Sequence, residues 1–388
     1  MLFLIISTLL FIAGIIIVTI LHNQHWLDIT VHPAASPAEA PLISIMVPAR
    51  NEERNIRRCV ESLLAQAYPN FELIVLNDRS TDLTASILEE IARRDERLHI
   101  LQGQELPRGW AGKPHALHQA AQAARGEWFC FVDADTFVVP AALASVLAAA
   151  KEQSADMFSI FTRQVLGSFW EKVIHPLVLT ALSIGFAPRK VNDPDRPDAI
   201  ANGQFIFIKQ SVYRAVGGHE AIKDSIVEDR DLATMVKHSG YHLVVADGRT
   251  LASTRMYTNL AEMWEGWTKN IFLGLKDRPG LLLLGAFGAF LSFFAAVLLP
   301  VWLIAGLAWG LAGGGLMAWI VAAEAALLWA YLIVWRMIAC AGMGVPVGYA
   351  FFTPVGAGIF AAMMIASAWK VLSGRGVTWK GRRYSTRG

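Results

Sequence analysis

The chain of 388 residues is short of charge: 17% of it is Asp, Glu, Lys or Arg, whereas 54% is hydrophobic. Soluble domains carry about 25% charged residues, so the deficit points to segments that leave water. Cysteine is scarce as well. Cys59, Cys130 and Cys340 lie far apart and show no CxxC spacing, which disfavours a disulfide framework or a cysteine metal site and leaves free thiols in a reducing compartment. No basic run is interleaved with aromatics in the polar middle of the chain, and the formal net charge is only +2, so nucleic acid is not an expected partner. Internal repeats and low-complexity tracts are missing, apart from an Ala-rich stretch near 141–150. Paired, broken hydrophobic repeats, the signature of a transporter, are not visible either.

What is abundant is long apolar runs, gathered at the two ends. Residues 2–21 (LFLIISTLLFIAGIIIVTIL) carry no charge. Such a run, at about 1.5 Å per residue, spans a hydrocarbon core of roughly 30 Å. A cleaved signal peptide is the alternative, but the basic n-region and the small-x-small cleavage site are missing, so an uncleaved anchor over 1–22 is expected. Between 281 and 372 the only charged side chains are Glu324, Arg336 and Lys370. Gly313, Gly314 and Gly315, and the stretch 342–348, divide this region into segments 281–310, 316–340 and 348–372, each long enough to cross a bilayer. Cations on both flanks, Arg255, Lys269, Lys276 and Arg278 before and Arg375, Lys380, Arg382, Arg383 and Arg387 after, give both sides a cytoplasmic character. Three full crossings cannot join two cytoplasmic flanks, so either one segment is re-entrant or the 374–388 tail lies outside. Glu324 and Arg336 fall near mid-membrane depth, where an isolated charge is costly; they meet protein across helices or face an acceptor groove.

Between the ends the pattern changes. After a polar, Pro-containing linker over 23–41, buried-strand runs at 42–49, 71–78, 99–102 and 128–135 alternate with helical spacing at 53–66, 84–94, 114–124 and 140–152. Such alternation predicts a parallel sheet covered on both faces, with ligands at the carboxyl ends of its strands. Three strands end in polar clusters there: Pro48-Ala49-Arg50-Asn51-Glu52, Asn77-Asp78-Arg79-Ser80 and Asp133-Ala134-Asp135. A catalytic domain over 42–253 is expected, then an aromatic-basic interfacial segment over 254–280 and the membrane region 281–373. The apolar but interrupted stretch 165–186 reads as an amphipathic segment on the membrane surface.

The strand ends carry the chemistry. Asp133 and Asp135, one residue apart, can hold a hard divalent cation, Mg²⁺ or Mn²⁺, beside a diphosphate that supplies further oxygens. That ion would offset charge on a departing nucleotide diphosphate. Asp78 can accept a hydrogen bond from a base or a ribose, or cap the next helix in competition with Ser80, Thr81 and Asp82. Glu52 is likewise a nucleoside contact or an acid in a first helical turn. Lys113, in the stretch 106–117 (LPRGWAGKPHAL), is a phosphate contact or a solvated lysine. Glu228 and Asp229 open a helix as an acidic pair. Mutual repulsion and partial burial raise a carboxylate pKa toward that of a general base, and Asp229 is the candidate base for an acceptor hydroxyl; the alternative is ordinary helix N-terminal acidity. Tyr257, Trp264 and Trp267 lie among Arg255 and Lys269, suited to stacking a sugar and binding phosphate, or to anchoring at a membrane interface.

Taken in order, PARNE at 48–52, ND followed by S-T-D-x-T at 77–84, DAD at 133–135, ED at 228–229 and W-x-K at 267–269 resemble the family-2 inverting glycosyltransferases over about residues 42–270. The resemblance implies an α/β GT-A nucleotide-sugar-binding fold with a mostly parallel sheet. It implies that Pro48, Ala49, Arg50, Glu52 and Asp78 contact the nucleoside. Asp133 would lie near the ribose and diphosphate, Asp135 on the metal, and Asp229, beside Glu228, would be the base. Trp267 and Lys269, read with Lys113 on the donor side, stand where processive relatives carry Q-x-x-R-W, which is missing here, so polymer synthesis is not expected. Asn77 departs from the usual DD pair.

LPRGWAGK, ANGQF at 201–205, GGH at 217–219, WEGWTKN at 264–270 and VTWKGRRY at 377–384 further resemble membrane glycosyltransferases of carotenoid and hopanoid pathways, of the chlorobactene or diaponeurosporenoate type. That implies a hexose donor such as UDP-glucose and a lipid acceptor bearing a hydroxyl or carboxyl, met near Asn202, Gln204 and His219. Donor sugars of this kind are made in the cytoplasm, which places the catalytic domain on that side of the cell membrane. A transferase acting on a polyprenyl phosphate or glycolipid, a polysaccharide synthase, and a transporter with a cytoplasmic sensing domain are the competing readings; the last leaves the acidic strand ends unexplained.

Overall fold

The run ISIMVPA buries nearly every side chain and forms β1 (Ile43–Ala49) at the centre of a sheet. A strand apolar on both faces must be covered on both. In the computed structural model, which describes residues 28–185, 187–275, 279–373, 377–379 and 382–384, β2 (Phe71–Asn77) and β4 (Trp128–Val132) flank β1 in parallel, and β3 (Leu98–Gln102) adds parallel to β2. Beyond β4, β8 (Phe205–Lys209) runs antiparallel, followed by β6 (Met157–Phe161) and β9 (Leu243–Asp247). The order is β3-β2-β1-β4-β8-β6-β9, with β8 the one reversed strand of the seven. The mostly parallel α/β architecture expected from the alternation is present. The expected anchor over 1–22 lies outside the described residues.

Helices α1 (Ile56–Leu64), α2 (Thr84–Ala92) and α4 (Ala142–Glu152) bury apolar stripes on one face of the sheet. On the other face lie α3 (Gly112–Ala123), α6 (Pro188–Asn192), α7 (Gln210–Ala215), α8 (Gly218–Ala221) and α9 (Glu228–His238). The run 128–135 is not one strand. β4 stops at Val132, Thr136 N–H turns back to the Asp133 carbonyl at 3.0 Å, and β5 (Thr136–Val138) joins a separate small sheet with β10 (Ala252–Thr254) and β7 (Arg163–Gln164). The turn exposes Asp133 and Asp135, which a continuous buried strand would not do. The stretch read as a linker is pinned to the domain over its described part: Val31 is buried, its N–H donates to the Asp247 carbonyl at 2.9 Å, and Tyr68 OH donates to the Pro41 carbonyl at 2.6 Å.

Beyond the domain, α5 (Phe169–Gly185) and α10 (Leu260–Leu275) share an apolar core with α13 (Thr353–Leu372), built on Val173, Ile174, Val178, Met263, Trp267, Phe360 and Met363. Within the stretch 165–186, α5 is thus packed against other helices. Among the described residues three helices are long and apolar enough to cross a membrane, over Ala286–Leu311, Gly315–Gly342 and Val347–Lys370. The first ends α11 (Pro279–Leu311), the second is α12 (Gly315–Gly342), and the third joins a 3₁₀ turn, Val347–Phe352, to α13. The α11–α12 reversal is tight because Gly313 and Gly315 hold φ of +87° and +66°. Arg336 of α12 is buried and makes a structural polar contact between helices: its Nε donates to Thr353 Oγ1 at 3.2 Å and its Nη2 to the Val173 carbonyl at 3.4 Å.

At the amino ends of the central strands, Glu72 accepts Ser44 Oγ at 2.6 Å and the Arg125 N–H at 2.8 Å, while Gly126 N–H donates to Ser44 Oγ at 2.7 Å. A Cβ on Gly126 would stand 2.5 Å from Ser44 N and 2.9 Å from the Leu42 carbonyl, both backbone atoms. Gly126→Ala is therefore expected to cost about 1–3 kcal/mol by overpacking, read as a lower thermal midpoint of the solubilised protein.

Candidate active site

The turns after β1 and β2 are laced together. Asn51 and Arg79 adopt left-handed backbone, φ 52° and 57°, which non-glycine residues keep only where surroundings compel it. Asn51 N–H donates to Ser80 Oγ at 3.0 Å and its Oδ1 accepts the Thr81 N–H at 2.9 Å. Glu52 N–H donates to Thr84 Oγ1 at 2.8 Å, and Glu53 N–H to Asp82 Oδ2 at 3.0 Å. Asp82 also caps α2 through the Thr84 N–H at 3.0 Å. The capping role is thus filled without Asp78, whose side chain lines the cleft, while Arg50 Nη1 donates to its carbonyl at 2.7 Å.

That cleft has a volume of about 810 Å³ and gathers the donor, metal, base and acceptor candidates read from sequence except His219, Trp264 and Arg255. Pro48, Ala49, Arg50, Glu52, Asp78, Lys113, Asp133, Asp135, Asn202, Gln204, Glu228, Asp229, Trp267 and Lys269 all line it, and Asp133 N–H donates to the Gln204 carbonyl at 3.4 Å. Lys113 is not a solvated lysine. Its Nζ lies 2.6 Å from Asp133 Oδ1 and 2.7 Å from Glu228 Oε1. Burial works against its charge, but Asp133, Glu228 and Asp229 outweigh that and raise its pKa well above the usual lysine range.

The acidic pair divides into two roles. Burial pushes the Glu228 carboxyl up, but the Lys113 ammonium more than offsets this and holds it below its ordinary value. Asp229 lacks that partner. Burial first, then the neighbouring Glu228 charge, push its pKa up to about 6. It accepts the Gly203 N–H at 3.0 Å on Oδ2 and the Arg230 N–H at 2.8 Å on Oδ1. Gly203 is a site residue that the ANGQF pattern contained but that was not singled out; a Cβ there would stand 2.9 Å from Asp229 Oδ2.

His219 is not brought to the cleft. It is 1% exposed, its Nδ1 lies 2.8 Å from Tyr213 OH, and it packs on Phe131 beneath Lys113 and Glu228. Burial pushes its pKa down to about 3, so it is a neutral support of the floor in this conformation, out of reach of an acceptor. Asn202 Nδ2 donates to the Ile160 carbonyl at 2.9 Å, and Gln204 Oε1 accepts Gln164 Nε2 at 3.0 Å. Arg255 turns away from the cleft to pair with Glu171, so it is not a phosphate ligand as placed. Trp267 is 4% exposed, packed edge-on against His175 and Tyr257. Near it Leu182, Met256, Tyr257 and Ile271 make the cleft's apolar end.

Among the described residues no group of three or more His, Cys, Asp or Glu side chains is placed to hold a metal ion. Asp133 and Asp135 can still supply two hard oxygen donors to an ion whose other ligands are phosphate and water. The charge balance fits such an ion: among the described residues ten carboxylates and five cationic side chains line the cleft, so a diphosphate would enter an already negative site.

Residues 44–217 match the profile of Glycosyl transferase family 2. They are a family 2 glycosyltransferase domain. The chain is 28% identical over 235 residues to the 4,4'-diaponeurosporenoate glycosyltransferase of Staphylococcus aureus (strain USA300), and to the same enzyme of strain MRSA252. That match covers 60% of this chain and 61% of the relative's own length. Among solved structures, the mannosyltransferase PcManGT from Pyrobaculum calidifontis, in complex with GDP-Man and Mn²⁺, superposes with a TM-score of 0.54 at 19% identity, covering 95% of this chain and 97% of that one. The likeness shows a shared GT-A-like fold.

The raised Asp229 carboxyl has a stability consequence. Its folded pKa of about 6 lies above the ordinary value of 3.8, so ionising it costs more in the folded than in the unfolded chain. That cost is small below the unfolded value and complete above about 6. Asp229→Asn is therefore expected to gain on wild type by about 2 kcal/mol between pH 4 and pH 7, measured as the difference in unfolding free energy at each pH.

Proposed function

We propose that the chain is a membrane-bound inverting glycosyltransferase that moves a hexose, glucose from UDP-glucose, onto a hydrophobic isoprenoid lipid. The observation that carries this reading is that one cleft is lined both by the acidic strand ends, with Asp229 among its acids, and by the apolar side chains Leu182, Met256 and Ile271. The nucleoside is read against Asp78 and the turn 48–52, with the diphosphate toward Lys113 and the β4 turn. A divalent cation held by Asp133 and Asp135 would neutralise the leaving diphosphate. The acceptor oxygen attacks the anomeric carbon on the face opposite the nucleotide. Its bond forms as the bond to the diphosphate oxygen breaks, and the hydroxyl proton passes to the Asp229 carboxylate. A base with a pKa of about 6 is ionised at neutral pH yet still basic enough to take that proton.

The Staphylococcus aureus relative is named a glycosyltransferase of 4,4'-diaponeurosporenoate, and that name supports the lipid reading here. The three apolar helices and the α5–α10–α13 core beside the cleft support an acceptor that stays in the bilayer. We place the protein in the cell membrane as a multi-pass protein with the domain on the cytoplasmic side, where nucleotide sugars are made.

The test is product formation by purified protein with Mn²⁺ or Mg²⁺, a panel of nucleotide sugars and a membrane lipid extract, read by mass in the organic phase. A hexosyl lipid is expected, lost on chelation and reduced roughly 100- to 10,000-fold in Asp229→Asn. Since the base must be unprotonated, kcat/KM should fall about tenfold per pH unit below about 6. Failure to bind any nucleotide sugar, or an unimpaired Asp229→Asn, contradicts the reading.

A further inference from the structure

The start of α5 carries a reciprocal cap. Glu171 N–H donates to Ser168 Oγ at 3.3 Å, and Ser168 N–H donates back to Glu171 Oε2. A cap of this kind can sit in water, but Glu171 is fully buried. Its carboxylate also accepts the Gly167 N–H at 3.1 Å and both Nε and Nη2 of Arg255, each at 3.1 Å. Burying a carboxylate to meet an arginine brings little net stability, because desolvation offsets the attraction; what such a pair does bring is geometry. Gly167 is part of the device, since a Cβ there would overlap the Arg255 guanidinium.

Arg255 follows β10 directly. Its backbone N–H donates to the Asp135 carbonyl at 3.4 Å, and the preceding Thr254 pairs with Thr136, their hydroxyls 3.0 Å apart. One residue therefore joins the N-terminus of α5, through its side chain, to Asp135, through its backbone. The same helix is tied to the membrane bundle one turn further on. The Val173 carbonyl accepts Arg336 Nη2 at 3.4 Å, and a Cβ on Gly356 of α13 would stand only 2.7 Å from that carbonyl.

We propose that Glu171 and Arg255 are positioning residues that hold the Asp133–Asp135 turn in register with the membrane bundle. The inference rests on the reading of Asp135 as a metal and diphosphate contact. It places the metal-bearing turn under mechanical control of α5, so donor binding and the depth of the bundle are set by one rigid connection.

The test uses the full chain in lipid nanodiscs, as wild type, E171Q, R255K and G167A. E171Q keeps an acceptor for the cap but loses the charge, R255K cannot bridge two oxygens, and G167A displaces the guanidinium while leaving both charges. Two quantities are read: calorimetric binding of UDP, and of GDP, with Mn²⁺, and amide hydrogen exchange over residues 133–138. All three variants are expected to weaken Mn²⁺-dependent nucleotide binding about tenfold, as outer ligands of metal sites do, and to speed exchange over 133–138, with little change in melting temperature. Faster exchange confined to the start of α5, with nucleotide binding unchanged, overturns the proposal. A wild type that binds neither nucleotide overturns the functional reading instead; the exchange then decides the connection alone, with unchanged rates over 133–138 refuting it.

Discussion

The ammonium of Lys113 lies between Asp133 at the end of β4 and Glu228 at the start of α9, within 2.7 Å of a carboxylate oxygen on each. Much of the site depends on that bridge. It holds Glu228 below its ordinary carboxyl value and offsets part of the burial that still raises Asp133. It joins the central sheet to a helix added more than ninety residues later. It also makes two unlike carboxylates of an adjacent pair: Glu228 is neutralised and lowered, whereas Asp229, one residue on, keeps only backbone donors and is raised toward 6. A carboxylate with raised pKa beside one kept ionised is the usual way a protein separates a base from a structural acid.

Much of this was legible in the sequence because it follows from short-range rules. Alternating strand and helix periods gave the sheet, and three polar strand ends marked where a ligand would sit. The apolar segments beyond residue 280 were equally plain, since runs of more than twenty residues with at most two charges have few other fates. What was illegible depends on partners distant in sequence. Arg255 looked like a phosphate ligand, and no local pattern announces that Glu171, 84 residues earlier, takes its guanidinium. His219 looked polar and accessible in GGH, yet the fold stacks it under Phe131 and closes it with Tyr213. The strand expected over 128–135 ends at Val132, because β5 turns away into a second sheet whose pairing is decided by residues 252–254. The lacing of the first two strand-end turns was likewise hidden, although it is what assigns the cap of α2 to Asp82.

The soluble and apolar halves are not separate modules joined by a tether. The helices α5 and α10 belong to both: one side of each packs on α13, and residues from each, Leu182, Trp267 and Ile271, line the apolar end of the cleft. The proposed water-soluble donor and bilayer-bound acceptor could meet only at an interface, and a site whose apolar wall is shared with helices long and apolar enough to cross a membrane is suited to that meeting.

The most direct measurement is a cryo-electron microscopy map of the full chain in a lipid nanodisc with Mn²⁺ and a non-transferable UDP-sugar analogue. The account predicts the base beside Asp78, a metal peak at the Asp133–Asp135 turn with the diphosphate on it, and headgroup density level with the α5–α10 edge, so that Asp229 faces the bilayer-side opening. Nucleotide density elsewhere, or a bilayer that leaves Asp229 out of reach of any lipid headgroup, would contradict it.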